Sequence, residues 1–338
     1  VKRAQVWIPV LLVLVAATAA VCVGVGAVAL PPGRVLEVLL NRDGSGLDPT
    51  EVAIVWELRL PRVLLAVVVG MGLGAAGAGY QGLFRNPLAD PFVIGASSGA
   101  ALGATIAIIA GWGGGAWGLS PIAMTAFAGA LLAVLFVYGI AAVGRPAPLL
   151  SLLLAGLAVS SFLGAVVSLL MFLHDEKLVN IVGWLLGSLA GRGWSAVTTT
   201  ASLVLIAVLG LAGCSRALDA LTFGEEAARS LGLSLTRLRL SVVVAASLAT
   251  AAAVSAGGLI GFIGLIAPHG ARLLLGARHA AVIPASACLG ALVLLGADAL
   301  ARTAAAPGEL PVGVMTALLG SPFFLYLLKT RTAELGDG

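Results

Sequence analysis

Apolar residues run through long stretches of this chain and stop at short polar or Gly/Pro-rich breaks. Segments such as "VLLVLVAATAAVCVGVGAVAL" and "ASLVLIAVLGLAG" are apolar nearly throughout. A barrel strand would instead alternate apolar and polar positions over roughly ten residues. A lipid-exposed segment must satisfy its backbone groups internally, so unbroken runs of this kind predict helices. At roughly 20 residues per crossing, the runs predict ten spans, near residues 6–29, 58–84, 93–110, 118–141, 148–172, 195–213, 237–256, 259–275, 281–301 and 311–329. The expected fold is an all-α membrane protein of about ten transmembrane helices, with residues 1–338 forming a single polytopic domain. Lys2 and Arg3 precede the first run as in a secretory signal, but Val6 to Leu30 far exceeds the 7–15 apolar residues or so of a signal core. It is read as a retained span.

Composition agrees with the pattern. Hydrophobic residues make up 60% and charged residues 10% of the chain, against about 45–50% and about 25% in soluble domains. Of the 19 Lys and Arg, twelve fall on the side that holds both termini and seven on the other, which predicts cytoplasmic termini. Cys22, Cys214 and Cys288 lie far apart beside apolar stretches and read as packing residues. The sequence has no G-x-x-x-x-G-K-[ST] phosphate loop and no H-E-x-x-H metal site. No catalytic, cofactor-binding or metal-ligating residue is therefore expected, and the chain is not read as an enzyme. Any uphill movement must be powered by another chain or by an ion gradient. Intramembrane Asp, Glu, Lys and His, which mark ion-coupled carriers, are nearly missing from the span interiors. A gradient-driven carrier or channel for a small solute is the alternative reading.

Small residues are abundant instead. "VVVGMGLGAAGAGYQG" sets Gly70 and Gly74 in a G-x-x-x-G relation and adds Gly72, Gly77, Gly79 and Gly82. Such residues let helix backbones approach closely in lipid; they would also leave a smooth wall for a bulky solute. The next segment, "RNPLADPFVIGASSG", is polar and rich in helix breakers. Each proline forces the residue before it, Asn86 or Asp90, into an extended or turn conformation.

The succession of Gln81, "NPLADP" and "GASSGA" closely resembles the permease subunits of the ABC importers for iron-siderophores, haem and vitamin B12, the type II importers. The similarity continues through "WELRLPRVLLAVVVG", "SLLLAGLAVS", "VGWLLGSLAGRGW", "GLIGFIGLIAPHGARLLLG" and "GADALARTAAAPGELPVGVMTALLGSPFFLYLL", nearly the whole chain. At Gly270, after His269, the family usually has a bulkier apolar residue.

The polar segment "SRALDALTFGEEAARSLGLSLTRLRL" predicts a break at Gly224, then a two-turn helix opened by Glu225 and Glu226 and stopped by Gly232. The resemblance assigns coupling elements near residues 215–236, with Gly224, Glu225, Glu226, Ala227, Leu231 and Gly232 as the stretch that sits in a cleft of the ATPase subunit. It likewise matches Arg59, Arg62 and Arg302 to positions that receive acidic residues of a soluble substrate-binding protein. Gln81, Asn86, Pro87, Ser97 and Ser98 are candidates for the translocation path. Leu149 and Leu150 are either an inner gate or an ordinary helix start.

The resemblance implies a bacterial inner-membrane, multi-pass importer permease working as a homodimer. Its partners would be two ABC ATPase subunits, which bind ATP and Mg, and a periplasmic or lipid-anchored binding protein; no nucleic-acid partner is expected. The implied cargo is an intact metal chelate: an iron-siderophore first, haem or cobalamin next.

Overall fold

The computed structural model describes residues 2–26, 30–41, 47–112, 120–142, 149–306 and 308–336, with side chains described from Arg3 to Leu325. Within these residues the chain is helical and contains no strand. The helices are α1 (Lys2–Gly24), α2 (Pro32–Leu40), α3 (Pro49–Ala53), α4 (Leu60–Phe84), α5 (Ala96–Ile109), α6 (Pro121–Ala141), α7 (Leu149–Leu173) and α8 (Leu178–Leu185). They continue with α9 (Trp194–Gly213), α10 (Ser215–Leu221), α11 (Glu225–Ser230), α12 (Leu235–Gly257), α13 (Ile263–Leu275), α14 (His279–Thr303) and α15 (Val312–Gly336). Seven helical stretches are long and apolar enough to cross a membrane. Three shorter apolar helices, Ala96–Ile109, Ile263–Leu275 and Val312–Leu325, complete the ten predicted runs. Between α3 and α4 the chain stays helical but widens to a π turn over Ile54–Arg59, which the apolar pattern does not reveal.

The bundle has an inner layer and an outer ring. The apolar window of α4 is 78% buried while that of α7 is 22% buried, and this difference decides which helix is the axle. α4 packs against α14, α12, α9 and α13. Its glycines explain how one helix reaches four neighbours: a Cβ on Gly70 would overlap the backbone of Gly290, one on Gly74 the Ser286 carbonyl, and one on Gly77 the Gly264 carbonyl. Side chains there would hold the helices apart and forfeit van der Waals contact along the whole seam. α5 and α6 meet in the same way, through Gly99 against Gly129 and Gly103 against the Thr125 carbonyl. The outer ring presents bulky apolar side chains outward, among them Leu157, Phe162 and Phe172 of α7. That is the distribution expected when the solvent is hydrocarbon.

The two ends of the bundle differ. One, called basal below, carries the 85–95 turn, α10, α11 and the start of α12. The opposite end carries the π turn, the 186–194 segment and the end of α14.

Candidate functional site

The 85–95 turn shows why a greasy chain places polar groups between two spans. Arg85 closes α4 in the left-handed conformation at φ 50°. The Asn86 Oδ1 accepts the Leu88 N–H at 2.9 Å, and the Asp90 Oδ1 accepts the Phe92 N–H at 2.8 Å. Each Asx turn supplies an acceptor for a backbone donor that the prolines keep out of a helix. Gly95, at φ 87°, then starts α5. Burial raises the half-buried Asp90 carboxyl to about 6, with the Phe92 N–H opposing the shift.

Gln81 is 2% exposed and acts as a clamp. Its Nε2 donates to the Gly264 carbonyl at 3.1 Å, and its Oε1 accepts from Arg272, so the last turn of α4 is tied to both the first and the last turn of α13. Gln81 and Pro87 also border an open groove of about 400 Å³, with Arg85, Thr222, Arg272 and His279. His279 is fixed there by Asp219 of α10, whose Oδ1 accepts its backbone N–H at 2.8 Å and lies 2.8 Å from its Nδ1. Ser98 donates to the Gly95 carbonyl at 3.0 Å and reaches Ser160 of α7 at 3.4 Å, whereas Ser97 is half-buried. Leu149 packs on the core while Leu150 is 66% exposed at the first turn of α7.

The polar segment folds into α10 and α11 with a sharp corner at Gly224, where φ 109° and ψ 160° exclude an ordinary side chain. α11 is six residues, shorter than the two turns expected, and ends at Ser230 with Leu231 as its cap. Gly232, at φ 80°, lets the Leu233 N–H reach the Ala228 carbonyl at 3.1 Å. Ala228 is fully buried, and Glu225 pairs with Arg239 of α12 at 2.6 Å, so the inner face of α11 is bolted to the bundle. The outer face is not covered. Glu226 is exposed and makes no ion pair among the described residues, Leu231 is 69% exposed and Phe223 is 82% exposed. Phe223 was not singled out from sequence; its signal was an aromatic residue beside a Gly-Glu-Glu corner.

The opposite end holds the three arginines that the resemblance matches to a docking surface. Arg59, Arg62 and Arg302 are buried and engaged within the chain. Arg62 pairs with Asp298 at 2.9 Å and with Glu309 at 2.7 Å, and Arg302 pairs with Asp298 at 3.1 Å. Arg302 also donates to the carbonyls of Cys22 and Val25, and Arg59 to those of Val23 and Gly24. Asp298 lies inside the bundle with no exposure, and the guanidinium groups of Arg62 and Arg302 are what allow it to stay there. Sequence reasoning placed these arginines at helix ends but had no means to bring Arg62 to a carboxylate 236 residues away.

The chain belongs to the FecCD transport family, which matches residues 11–330. It is 43% identical to the cobalamin import system permease protein BtuC of Halobacterium salinarum, over 85% of this chain and 76% of that protein. It is 41% identical to the hemin transport system permease protein HmuU of Yersinia pestis, over 83% of this chain and 84% of that protein. Among solved structures, an inward-facing metal-chelate type ABC transporter superposes with a TM-score of 0.82 at 32% identity, covering 96% of this chain and 98% of that one. The chain is accordingly a multi-pass membrane permease of the ABC importer type.

Proposed function

We propose that the chain is the membrane-spanning half of an ATP-driven importer that moves an intact metal chelate from an external binding protein to the cytosol of a bacterial cell, through the inner membrane. Two copies form the channel, and two ATPase subunits, which hold ATP and Mg, dock on the basal ends; both termini then lie in the cytosol. The observation that carries this reading is the corner at α11. Its inner face is fastened through Glu225 and Ala228, while Phe223, Glu226 and Leu231 are presented outward. A partner gripping those side chains moves α12 with them, because the ion pair and the buried alanine transmit the push. Gly224 and Gly232 set the corner's shape, and Ala227 keeps its centre slim.

The chelate class is supported by the named cargo of the relatives, cobalamin and haemin, and by the described residues, which hold no cluster of three His, Cys, Asp or Glu suited to a bare ion. The path is assigned to the Gln81–Pro87 region and the basal turn of α7 at Leu149 and Leu150, with Asn86, Ser97 and Ser98 shaping the link between α4 and α5.

Co-purification tests the corner directly. The ATPase subunit should be retained by the native chain and by Glu225→Gln, and its affinity should fall at least tenfold with Phe223→Ala plus Glu226→Arg, an apolar anchor and a charge lost together. Retention unchanged in the double variant would overturn the assignment of α11.

A further inference from the structure

The corner at Gly224 is anchored on both sides, and only one anchor leads to α12. After the glycine, Glu225 reaches Arg239. Before it, Asp219 of α10 reaches His279, the first residue of α14. One carboxylate oxygen takes two bonds there, from the His279 backbone N–H at 2.8 Å and from Nδ1 at 2.8 Å, with Nδ1 as the donor. The two pairs share a pattern: each joins a half-buried acid of the polar segment to a buried base of a spanning helix.

Capping accounts for only part of the Asp219 contact. The His279 N–H is one of the donors that the start of α14 leaves without an intrahelical partner, so the backbone bond would serve any side chain at this position. The ring bond needs histidine. The far edge of that imidazole lies on the last turn of α4, where a Cβ on Gly82 would overlap Nε2. Gly82 adjoins Gln81, which ties α4 to α13, and α4 meets α14 backbone to backbone at Gly70 and Gly290. A rigid ring fastened by a hydrogen bond on one edge and packed on backbone at the other transmits a displacement, because close-packed interiors have no slack to absorb it. α10 also touches both α14 and α4.

We propose that Asp219 and His279 are positioning residues for the transport stroke, carrying motion of the corner into α14 and α4 as Glu225 and Arg239 carry it into α12. This rests on the reading of α11 as the ATPase contact, and the test tells the two apart. The full-length chain, with Cys22, Cys214 and Cys288 replaced by alanine, is assembled with its ATPase. It is spin-labelled either at Arg85→Cys, where α4 ends, or at Arg237→Cys, in the first turn of α12, both exposed positions. Pulsed electron resonance then gives the distance between the two copies without nucleotide and with a non-hydrolysable ATP analogue, a readout that needs no cargo. With Asp219 and His279 in place, both distances change with nucleotide. Asp219→Ala abolishes the change at the α4 label and keeps it at the α12 label, and Asp219→Asn, which retains an acceptor for His279, restores it. His279→Asn keeps a donor toward Asp219 but withdraws from Gly82, and gives the same selective loss should Asp219→Ala assemble poorly. A purely capping role leaves the change at the α4 label intact in Asp219→Ala and His279→Asn, and that result overturns the proposal. If neither label responds to nucleotide with Asp219 and His279 in place, the reading of α11 itself fails and the proposal falls with it.

Discussion

Glu225 and Arg239 stand 14 residues apart in sequence and meet through a 2.6 Å ion pair that fastens α11 to α12. Arg239 is 7% exposed, so the pair joins a surface corner to the buried interior of the bundle. Glu225→Gln should leave α11 in place but loosen the bolt. In the assembled importer ATP hydrolysis should continue while uptake falls roughly tenfold, within the usual span of coupling energies. Parallel assays of hydrolysis and uptake distinguish this from simple loss of assembly.

Asp298 is the keystone of the opposite end. Asp298→Ala would leave Arg62 and Arg302 buried and short of their shared carboxylate, a loss of about 3–5 kcal/mol. Thermal unfolding in detergent should show a large drop in midpoint. Arg62→Gln should likewise act on stability, and the salt dependence of binding-protein association should be the same for the folded fraction as for the native chain. A change in that salt dependence would assign Arg62 to the docking surface.

The glycine seams separate packing from mere composition. Gly74→Ala places a methyl group against the Ser286 carbonyl and should cost about 1–3 kcal/mol. Gly164→Ala, in α7 with open space around it, should be neutral or stabilise by up to about 1 kcal/mol. Unfolding midpoints of the two variants should therefore move in opposite directions or differ clearly in size.

Asp90 gives the 85–95 turn a dependence on pH. Its folded carboxyl is raised from the ordinary 3.8 to about 6 by burial. A raised acid stabilises the fold fully below the unfolded value and loses that contribution as pH climbs through the folded one. The window is therefore pH 4 to 6. Asp90→Asn keeps an acceptor for the Phe92 N–H without the titration, so its stability relative to the native chain should improve between pH 4 and pH 7 and stay level above that. A constant difference across the range would contradict the assignment.

Much of this architecture was legible because lipid imposes simple rules. Runs of apolar residues can only be helices, and the predicted span near 58–84 is found as the continuous π turn and α4, ending at Phe84 as the breakers at Asn86 and Pro87 require. The small-residue stripe at Gly70, Gly74 and Gly77 is packing, as its spacing allows. The site was only half legible. Gly224 and Glu225 announced a corner through local chemistry, but Phe223 gained its meaning only when α11 was seen to leave it uncovered. The burial of Arg59, Arg62 and Arg302 was not legible for a physical reason: a helix-end arginine reads as exposed until the acid that neutralises it, here Asp298, or the carbonyls that accept from it, here at the end of α1, are located in space. Pro148, beside the basal turn of α7, lies outside the described residues.

The central claim is that this bundle is driven from its basal end by a nucleotide-hydrolysing partner. The direct measurement is uptake of a radiolabelled metal chelate into sealed proteoliposomes holding the chain and its ATPase, with ionophores collapsing all ion gradients and ATP enclosed. Uptake that persists under these conditions and stops when the ATPase is omitted or ATP is replaced by a non-hydrolysable analogue is the predicted result. Uptake by the chain alone, abolished by the ionophores, would contradict it.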